Sequence, residues 1–422
     1  MKIILIFLLV LANINLTSGE SLLKDHHFFL NVIYLEDERL PSIPEKDINI
    51  ILNEARDELR LKFGAIYIHF DYKGKQDLKS FFDTYLNKGS DYYNNLSNYK
   101  YKFFSGSIDY SPFKKPILKF LKQWKLWDLK DFFDKETKKK IKTYDDVMEY
   151  LFKGYAEKLN KLESLKLENG EYLIDRENNN HNSYINWLVA MYFQDLYDII
   201  ITNTIIVYDD ISKPYPHAVL RYAKVGGSSF ESPNRVIFDG TSGMVNLFEM
   251  LTDISYFQKP YQEKELNKND WNGIIGRYIM AHELAHMIYL IPDVYDHPKQ
   301  CLMDSSYATM DYYEGYKLLK KYPFECPLCK PYANAREHHL LADDLFKKED
   351  YEEAILHYKL AKKMTPNKLD IPYSGYISLL DYKIAHTFYK LDDKKSALLY
   401  LKNALKNDPN NEKAKQLYEQ IK

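Results

Sequence analysis

The sequence contains few cysteines, glycines and prolines, and it carries almost no net charge. Its 422 residues include 3 cysteines, 15 glycines and 16 prolines. Three cysteines are too few for a small disulfide-stabilised scaffold, and the scarcity of glycine and proline excludes a collagen-like or linker-rich chain. The 58 basic and 60 acidic residues give a net charge of −2, so no long-range field attracts this chain to nucleic acid or anionic lipid. We therefore predict a globular protein that binds no nucleic acid.

A short apolar run lies at the amino terminus. Residues 3–12 follow Lys2 and are apolar, but a membrane-spanning helix needs roughly 20 such residues. A polar segment comes next, and it ends in the small residues Thr17–Gly19. A positive start, a short apolar stretch and a small-residue exit are typical of a secretory signal peptide. We predict that residues 1–19 are removed and that the protein is exported, to the periplasm or the medium, without a stable membrane anchor.

The first part of the mature chain shows a strand, a helix and a second strand. Residues 27–34 are apolar and β-branched or aromatic, which is typical of a buried strand. Apolar residues with helical spacing follow Pro44 and continue to Gly64. Residues 65–72 then form the second predicted strand. This βαβ order favours a parallel pair with a right-handed crossover.

Residues 75–180 have a different composition, rich in Lys, Asp, Phe and Tyr. We interpret them as a helical insertion, with helical patterns near residues 112–133 and 143–165. After the insertion we predict a helix over 183–197, one long strand over 199–210, and short strands over 218–225 and 235–239. The predicted sheet is therefore mixed, and the fold class is α+β. The stretch 215–239 can supply an edge strand that binds an extended peptide by strand addition.

An internal repeat occupies the carboxy-terminal part. The first copy has Ala342, Ala354, Ala361 and Pro366, and the second has Ala385, Ala397, Ala404 and Pro409. This spacing of small residues resembles the tetratricopeptide repeat (TPR), in which small side chains let two antiparallel helices pack closely. Because an isolated array prefers three or more repeats, we expect the pair to pack on the preceding domain or on a helix beginning near residue 333. We predict that His338 and His339, which open this region, are surface residues.

The most specific motif is HELAH at residues 282–286, in a predicted helix from about residue 272 to 290. Histidines four residues apart share one face of a helix, so His282 and His286 can bind one metal ion. The helix is apolar on nearly all sides, which predicts that it is buried. Glu283 can take a proton from a water molecule on a bound zinc, which lowers the pKa of that water to about 7 and polarises a scissile carbonyl. The motif predicts a zinc-dependent peptidase with Glu283 as general base.

All three cysteines lie after this motif, as Cys301 and as a Cys-x-x-Cys at Cys326 and Cys329. With His297 they give a His-x₃-Cys and a distant Cys-x₂-Cys, a spacing that suits a tetrahedral structural zinc site. The alternative is a disulfide between Cys326 and Cys329 with Cys301 as a thiol, which export permits.

These motifs resemble those of the archaemetzincins, over about residues 26–72 and 183–330. That family has a zincin motif, a third histidine followed at once by Cys, a further Cys-x-Met and a downstream Cys-x-x-Cys. The matching residues here are His282, Glu283, His286, Cys301, Met303, Cys326 and Cys329. The family's His-Cys becomes Asp296-His297 here, so one cysteine is lost. The resemblance implies a metzincin-like fold with a catalytic zinc and a structural zinc, the latter held by His297 and the three cysteines.

The third ligand of the catalytic zinc remains open between three numbered residues and one further class of residue. On the archaemetzincin register, Asp296 replaces the third histidine. Many exported zincins instead use an aspartate just after a Leu-Pro, and here Asp293 follows Ile291-Pro292. His297 is a further candidate, and a glutamate on a later helix, as in gluzincins, is another.

We therefore predict a signal peptide over 1–19, a zincin domain over 20–332 with the insertion at 75–180, and TPR-like helices over 333–422. The predicted activity is hydrolysis of peptide bonds in a peptide or protein substrate. The alternative is a catalytically inactive zincin-fold protein whose TPR region recruits a protein partner.

Overall fold

The structure is a computed structural model, and it describes most of the chain after the predicted signal peptide. The described residues are 26–64, 67–88, 118–119, 121–122, 125–127, 135–174, 181–212, 217–222, 226–231, 241–257, 265–291, 301–303, 312–321, 326–365 and 374–422. Within them the fold is of the α+β class, with a small mixed sheet and a majority of helices. The predicted signal peptide at 1–19 lies outside the described residues. No helix among the described residues is both long enough and apolar enough to span a membrane.

The elements follow one another in this order. The strands are β1 (His27–Glu36), β2 (Tyr67–Asp77), β3 (Ile199–Thr202), β4 (Val207–Ser212), β5 (His217–Tyr222), β6 (Gly226–Glu231) and β7 (Thr241–Asn246). The helices before residue 260 are α1 (Glu45–Phe63), α2 (Leu78–Lys88), α3 (Lys135–Lys140), α4 (Tyr144–Ser164), α5 (Tyr184–Phe193) and α6 (Phe248–Leu251). Those after it are α7 (Lys268–Gly273), a π-helical segment (Ile274–Met280), α8 (Ala281–Tyr289), α9 (Tyr312–Lys321), α10 (Lys330–Lys347), α11 (Tyr351–Met364), α12 (Ser374–Lys390), α13 (Lys394–Asn407) and α14 (Glu412–Ile421).

The main sheet has the strand order β2-β1-β3-β7-β6. Strand β3 is parallel to both β1 and β7, whereas β6 is antiparallel to β7 and lies at the edge. The sheet is therefore mixed, as predicted. The predicted strand-helix-strand unit is also present, since β1 and β2 are neighbours and α1 connects them. Gly64 follows α1 with a φ of 97°, a conformation that glycine adopts readily and that ends the helix.

The prediction of one long strand over 199–210 is wrong. The structure has β3 and β4 there, and β4 pairs with β5 in a separate two-stranded sheet. Asn203 is buried between them, and its side chain accepts a hydrogen bond from Asp37 N and donates to the carbonyl oxygens of Asp37, Leu40 and Pro41. Because this side chain hydrogen-bonds to the loop after β1, the backbone around residue 203 leaves the main sheet. A polar residue within an apolar run was the only sequence signal of this break.

The other predicted elements agree in part. Strand β5 confirms the short strand near 218–225, and α5 confirms the helix near 183–197. The short strand predicted over 235–239 lies outside the described residues. Helix α4 confirms the pattern at 143–165, whereas most of 112–133 is not described.

Helix α2 lies within the stretch that was predicted as an insertion, yet it packs on the sheet. Its Phe81 joins Trp187 of α5 and the strand residues Ile33, Leu35 and Ile200 in one buried cluster. Strand β2 also continues to Asp77, past the predicted start of the insertion at residue 75. This helix is therefore part of the hydrophobic core.

The chain divides into two compact units. One comprises Met1–Leu30, Asn49–Phe70 and Leu266–Lys422, and the other comprises Asn31–Ile48 and Asp71–Glu265. The HELAH motif, the cysteines and the carboxy-terminal helices all belong to the first unit. The predicted domain boundaries at 20–332 and 333–422 stay predictions.

The carboxy-terminal helices pack in consecutive pairs, α10 with α11 and α12 with α13. The six alanines of the sequence repeat are completely buried at the helix contacts, and they are Ala342, Ala354, Ala361, Ala385, Ala397 and Ala404. A methyl side chain permits close approach of two helices, so burial explains why these positions are small in both copies.

The prediction that His338 and His339 are surface residues is wrong. Both are buried, because α10 packs against neighbouring helices along this face. His338 Nδ1 lies 2.7 Å from His357 Nδ1 of α11, and His339 Nδ1 lies 3.1 Å from the Tyr376 hydroxyl of α12.

Candidate metal centres

The HELAH motif lies on a continuous helical run over residues 268–289. Asn267 begins the run, because its side chain accepts a hydrogen bond from Asp270 N at 3.0 Å. Leu290 ends it in a left-handed conformation with a φ of 54°. The run is buried along most of its length, as predicted from its apolar sequence. The π-helical segment just before the motif was not predicted, because the apolar spacing of the two helix types is similar over so few residues.

Gly276 in the π-helical segment makes a close approach to α1. A Cβ atom at this position would lie 2.6 Å from the carbonyl oxygen of Ile51 and 2.8 Å from Cβ of Glu54. Arg277 and Glu54 form an ion pair beside this contact. The helix that carries the motif therefore packs against α1 so closely that no side chain fits between residue 276 and the backbone of α1.

The two histidines of the motif bring their Nε2 atoms to 3.0 Å from each other, with ring planes at 87°. The Nδ1 atom of each ring contacts a backbone carbonyl oxygen. His282 Nδ1 lies 2.7 Å from the oxygen of Leu302, and His286 Nδ1 contacts the oxygen of Ile291. Both rings are therefore oriented through the nitrogen that faces away from the pair.

These contacts favour one tautomer of each neutral ring. A carbonyl oxygen only accepts, so in that tautomer Nδ1 carries the hydrogen and Nε2 presents a lone pair. In these tautomers the Nε2 atoms of His282 and His286 can both bind one cation. Zinc–nitrogen bonds of about 2.0–2.1 Å place two ligand nitrogens about 3.0–3.4 Å apart at angles of about 95–110°. The observed separation fits that range.

Glu283 lies between these histidines in sequence and is buried. The three candidates for the third ligand, Asp293, Asp296 and His297, lie outside the described residues.

The three cysteines come together in a second candidate centre. Cys301, Cys326 and Cys329 are buried, and their sulfur atoms all lie within 4.8 Å of one another. The tight turn before α10 places two of them, since the N–H groups of Cys329 and Lys330 both donate to the carbonyl oxygen of Cys326. This cluster can hold a metal ion.

The three thiols form no disulfide in this structure. The sulfur atoms of Cys301 and Cys329 are 3.5 Å apart, whereas a disulfide bond is about 2.05 Å long. A hydrogen bond with Cys326 is the largest cause that raises the pKa of Cys301 to about 12, and contacts with the other two thiols raise the pKa of Cys329. Thiols in such a cluster ionise together only beside a cation, which is the behaviour of a metal site. His297, the predicted fourth ligand, lies outside the described residues.

Arg336 was not predicted as a functional residue from the sequence. Its side chain is buried, and its Nε donates to the carbonyl oxygen of Ile288 in α8 at 3.0 Å. Another guanidinium nitrogen lies 2.7 Å from His339 Nδ1. Helix α10 therefore binds the carboxy-terminal end of the HELAH helix. This arginine belongs to no sequence motif. The carbonyl groups of Ile291 and Leu302 could not be predicted either, because a backbone acceptor leaves no mark on the residue type.

No protein-family model matches this chain, and no curated protein matches it significantly. What the chain can bind therefore follows from its own donor groups, namely two oriented imidazoles and three clustered thiols.

Proposed function

We propose that this protein is an exported zinc-dependent metallopeptidase with a metzincin-like fold. The observation that supports this most strongly is the orientation of His282 and His286. The Nδ1 atom of each ring contacts a backbone carbonyl oxygen, the two Nε2 atoms lie 3.0 Å apart, and Glu283 lies between the two histidines in sequence. Two histidines and a glutamate in this order are the constellation that zinc peptidases use.

His282 and His286 would hold the catalytic zinc, together with one of Asp293, Asp296 and His297. When bound, zinc supplies a Lewis acid and lowers the pKa of a coordinated water molecule. Glu283 would serve as the general base that accepts a proton from the attacking water. The same residue would then return that proton to the leaving amine, which restores the starting state of Glu283.

The thiol cluster would hold a second zinc with a structural role. Cys301, Cys326 and Cys329 supply three thiolates, and His297 is the candidate fourth ligand. The burial of all three sulfurs supports a closed structural site, since a catalytic site keeps a position open to substrate.

The substrate would be a peptide in extended conformation. Strand β6 lies at the edge of the main sheet and pairs only with β7 among the described strands. A sheet edge can offer backbone hydrogen bonds to a peptide that adds as a further strand. The carboxy-terminal helices would form a TPR-like pair that recruits a protein partner, a proposal supported by the buried alanines in both copies.

Replacement of the general base tests the activity. We expect Glu283→Gln to reduce cleavage in a peptide library by about 10²–10⁴-fold while the zinc content stays that of the parent. Glu353→Gln, at a half-exposed position on α11, is the matched control and should cleave as the parent does. Equal cleavage by Glu283→Gln and the parent contradicts the proposal.

The alternative function is that of an inactive zincin-fold binding protein. It is favoured by Tyr289 and Pro292, which stand where a metzincin would have glycine and histidine. Tyr289 is buried, and its ring packs against Phe63 of α1 at 4.6 Å. Absence of cleavage by a zinc-loaded parent, with capture of a partner by the TPR-like helices, would support this alternative.

A further inference from the structure

The segment Cys301–Met303 connects the two candidate metal centres through adjacent residues. The sulfur of Cys301 belongs to the thiol cluster and also accepts a hydrogen bond from Met303 N at 3.3 Å. The next carbonyl group, that of Leu302, accepts the hydrogen bond from His282 Nδ1 at 2.7 Å. The group that orients one imidazole is thus one residue away from a cluster sulfur.

The other side of the cluster is also attached to the HELAH helix. Cys326 and Cys329 form the turn that begins α10, and Cys329 Sγ lies 3.5 Å from Cys301 Sγ. Two turns further along α10, Arg336 donates to the carbonyl oxygen of Ile288, which is two residues after His286. Contacts therefore form a closed ring that runs from His282 through Leu302, the cluster and α10 back to α8. Two of the non-covalent contacts in this ring are hydrogen bonds to carbonyl oxygens, whereas the third joins only the sulfur atoms of Cys301 and Cys329.

We infer that the thiol cluster positions the His282 imidazole through the backbone carbonyl of Leu302, so that metal binding at the cluster raises the metal affinity of the histidine pair. The inference rests on the proposed function in taking His282 and His286 as a metal site. Leu302 is a positioning residue here, because its carbonyl acts on the ligand and not on a substrate.

The physical reason is that a cation bound to all three sulfur atoms holds them more firmly than their contacts with one another do. Neutral thiols are weak donors and weak acceptors, so the contact at 3.5 Å holds Cys301 loosely. A cation that binds three thiolates fixes Cys301 relative to α10, and the Leu302 carbonyl is fixed with it. That carbonyl keeps the hydrogen on Nδ1 and the lone pair of His282 on Nε2. Partners that orient metal-ligating histidines typically change metal affinity 10–100-fold.

The first test measures metal affinity and not activity. Co²⁺ is titrated into the full-length reduced protein, because its near-ultraviolet thiolate absorption reports the cluster and its visible absorption reports both sites. We expect Cys301→Ser to remove the thiolate band and also to weaken Co²⁺ binding at the histidine pair about 10–100-fold. Leu328→Ala is the matched control, since Leu328 is exposed within the same Cys-x-x-Cys turn, and it should bind Co²⁺ at both sites as the parent does.

A second measurement uses the parent chain and does not depend on the folding of a variant. Histidine ¹⁵N spectra report the tautomer of His282 in the metal-free protein and after one equivalent of Cd²⁺, which prefers thiolates. We expect Cd²⁺ to increase the fraction of His282 with its hydrogen on Nδ1.

The possible outcomes separate this inference from the proposed function. A His282 tautomer that Cd²⁺ leaves unchanged, or parent-like Co²⁺ affinity of the histidine pair in Cys301→Ser, overturns the inference while leaving the peptidase proposal intact. The proposed function requires that the parent bind Co²⁺ at a site that His282→Ala lacks. If the parent and His282→Ala bind the same amount of Co²⁺, the proposed function itself fails. Coupled metal binding in a protein that cleaves no peptide supports the inference and contradicts only the activity.

Discussion

Two pairs of histidines in the same unit bring ring nitrogens close together, but with different consequences. In the HELAH pair the Nε2 atoms of His282 and His286 are 3.0 Å apart, and the ring planes are nearly perpendicular at 87°. On the exposed face of β1 and β2, His27 Nδ1 lies 2.7 Å from His69 Nε2, and the ring planes are nearly parallel at 8°. Distance alone does not distinguish the two pairs.

The difference lies in the nitrogens that face away from each pair. Carbonyl oxygens accept from both Nδ1 atoms of His282 and His286, so two lone pairs converge. Within the described part of the chain, no carbonyl oxygen accepts from His27 or His69. One ring of that pair is free to donate its N–H to the other, which gives an ordinary hydrogen bond. We propose that orientation by backbone carbonyl groups is what distinguishes a metal-binding pair of histidines from an ordinary one.

The largest expected contrast between the pairs is in metal content. We expect the parent to retain two zinc ions per molecule after equilibration and dialysis, and His282→Ala to retain one, because it removes a ligand of the histidine pair. His69→Ala is the matched control and should retain two. The measurement is zinc per protein molecule by elemental analysis. Equal zinc loss in His69→Ala and His282→Ala would contradict the distinction between the two pairs of histidines.

The third close pair, His338 with His357, is expected to respond to acid. Burial, with a smaller contribution from His357, lowers the pKa of His338 to about 4, below the ordinary value of about 6.5. The folded state thus binds fewer protons than the unfolded state between these values. The contribution of His338 to the free energy of unfolding should be constant above pH 6.5 and should decrease by about 3 kcal/mol as the pH falls to 4.

Urea unfolding at pH 7, 5.5 and 4.5 measures this effect. In His338→Gln the part of the decrease that comes from this group should disappear, because glutamine does not titrate. An unchanged pH dependence in that variant would show that His338 is protonated in the folded state. The pair would then be a surface-like hydrogen bond similar to that of His27 and His69.

The smallest expected effect concerns the backbone that supports the HELAH pair. Gly276→Ala places a methyl group against the Ile51 carbonyl oxygen, which is main chain and cannot move aside easily. We expect the free energy of unfolding to decrease by about 1–3 kcal/mol, as is usual for overpacking. His69→Ala on the exposed strands should change it by less than about 0.5 kcal/mol. Urea unfolding at pH 7 compares the two variants, and equal stabilities would show that α1 can shift away from residue 276.

The sequence was sufficient to predict elements whose signal is local. Strand β1, helix α1 with its end at Gly64, and the buried helix around residues 282–286 all follow from apolar spacing and from a glycine at a helix end. The same reasoning failed at 199–210, because the hydrogen bonds that Asn203 makes to the loop after β1 come from 162–166 residues away in sequence. It also failed at His338 and His339, since a polar side chain gives no indication that another helix covers it.

The sequence alone was sufficient to identify His282 and His286 as a candidate ligand pair. Histidines four residues apart share a helix face by the geometry of the helix, and no tertiary contact is needed for that. Three further features depend on the tertiary structure. One is the convergence of Cys301 with Cys326 and Cys329. The others are the carbonyl groups that orient His282 and His286, and the hydrogen bond by which Arg336 attaches α10 to α8. Each of these depends on backbone atoms or on residues distant in the chain. Their geometry is fixed by packing, and spacing along the sequence does not encode it.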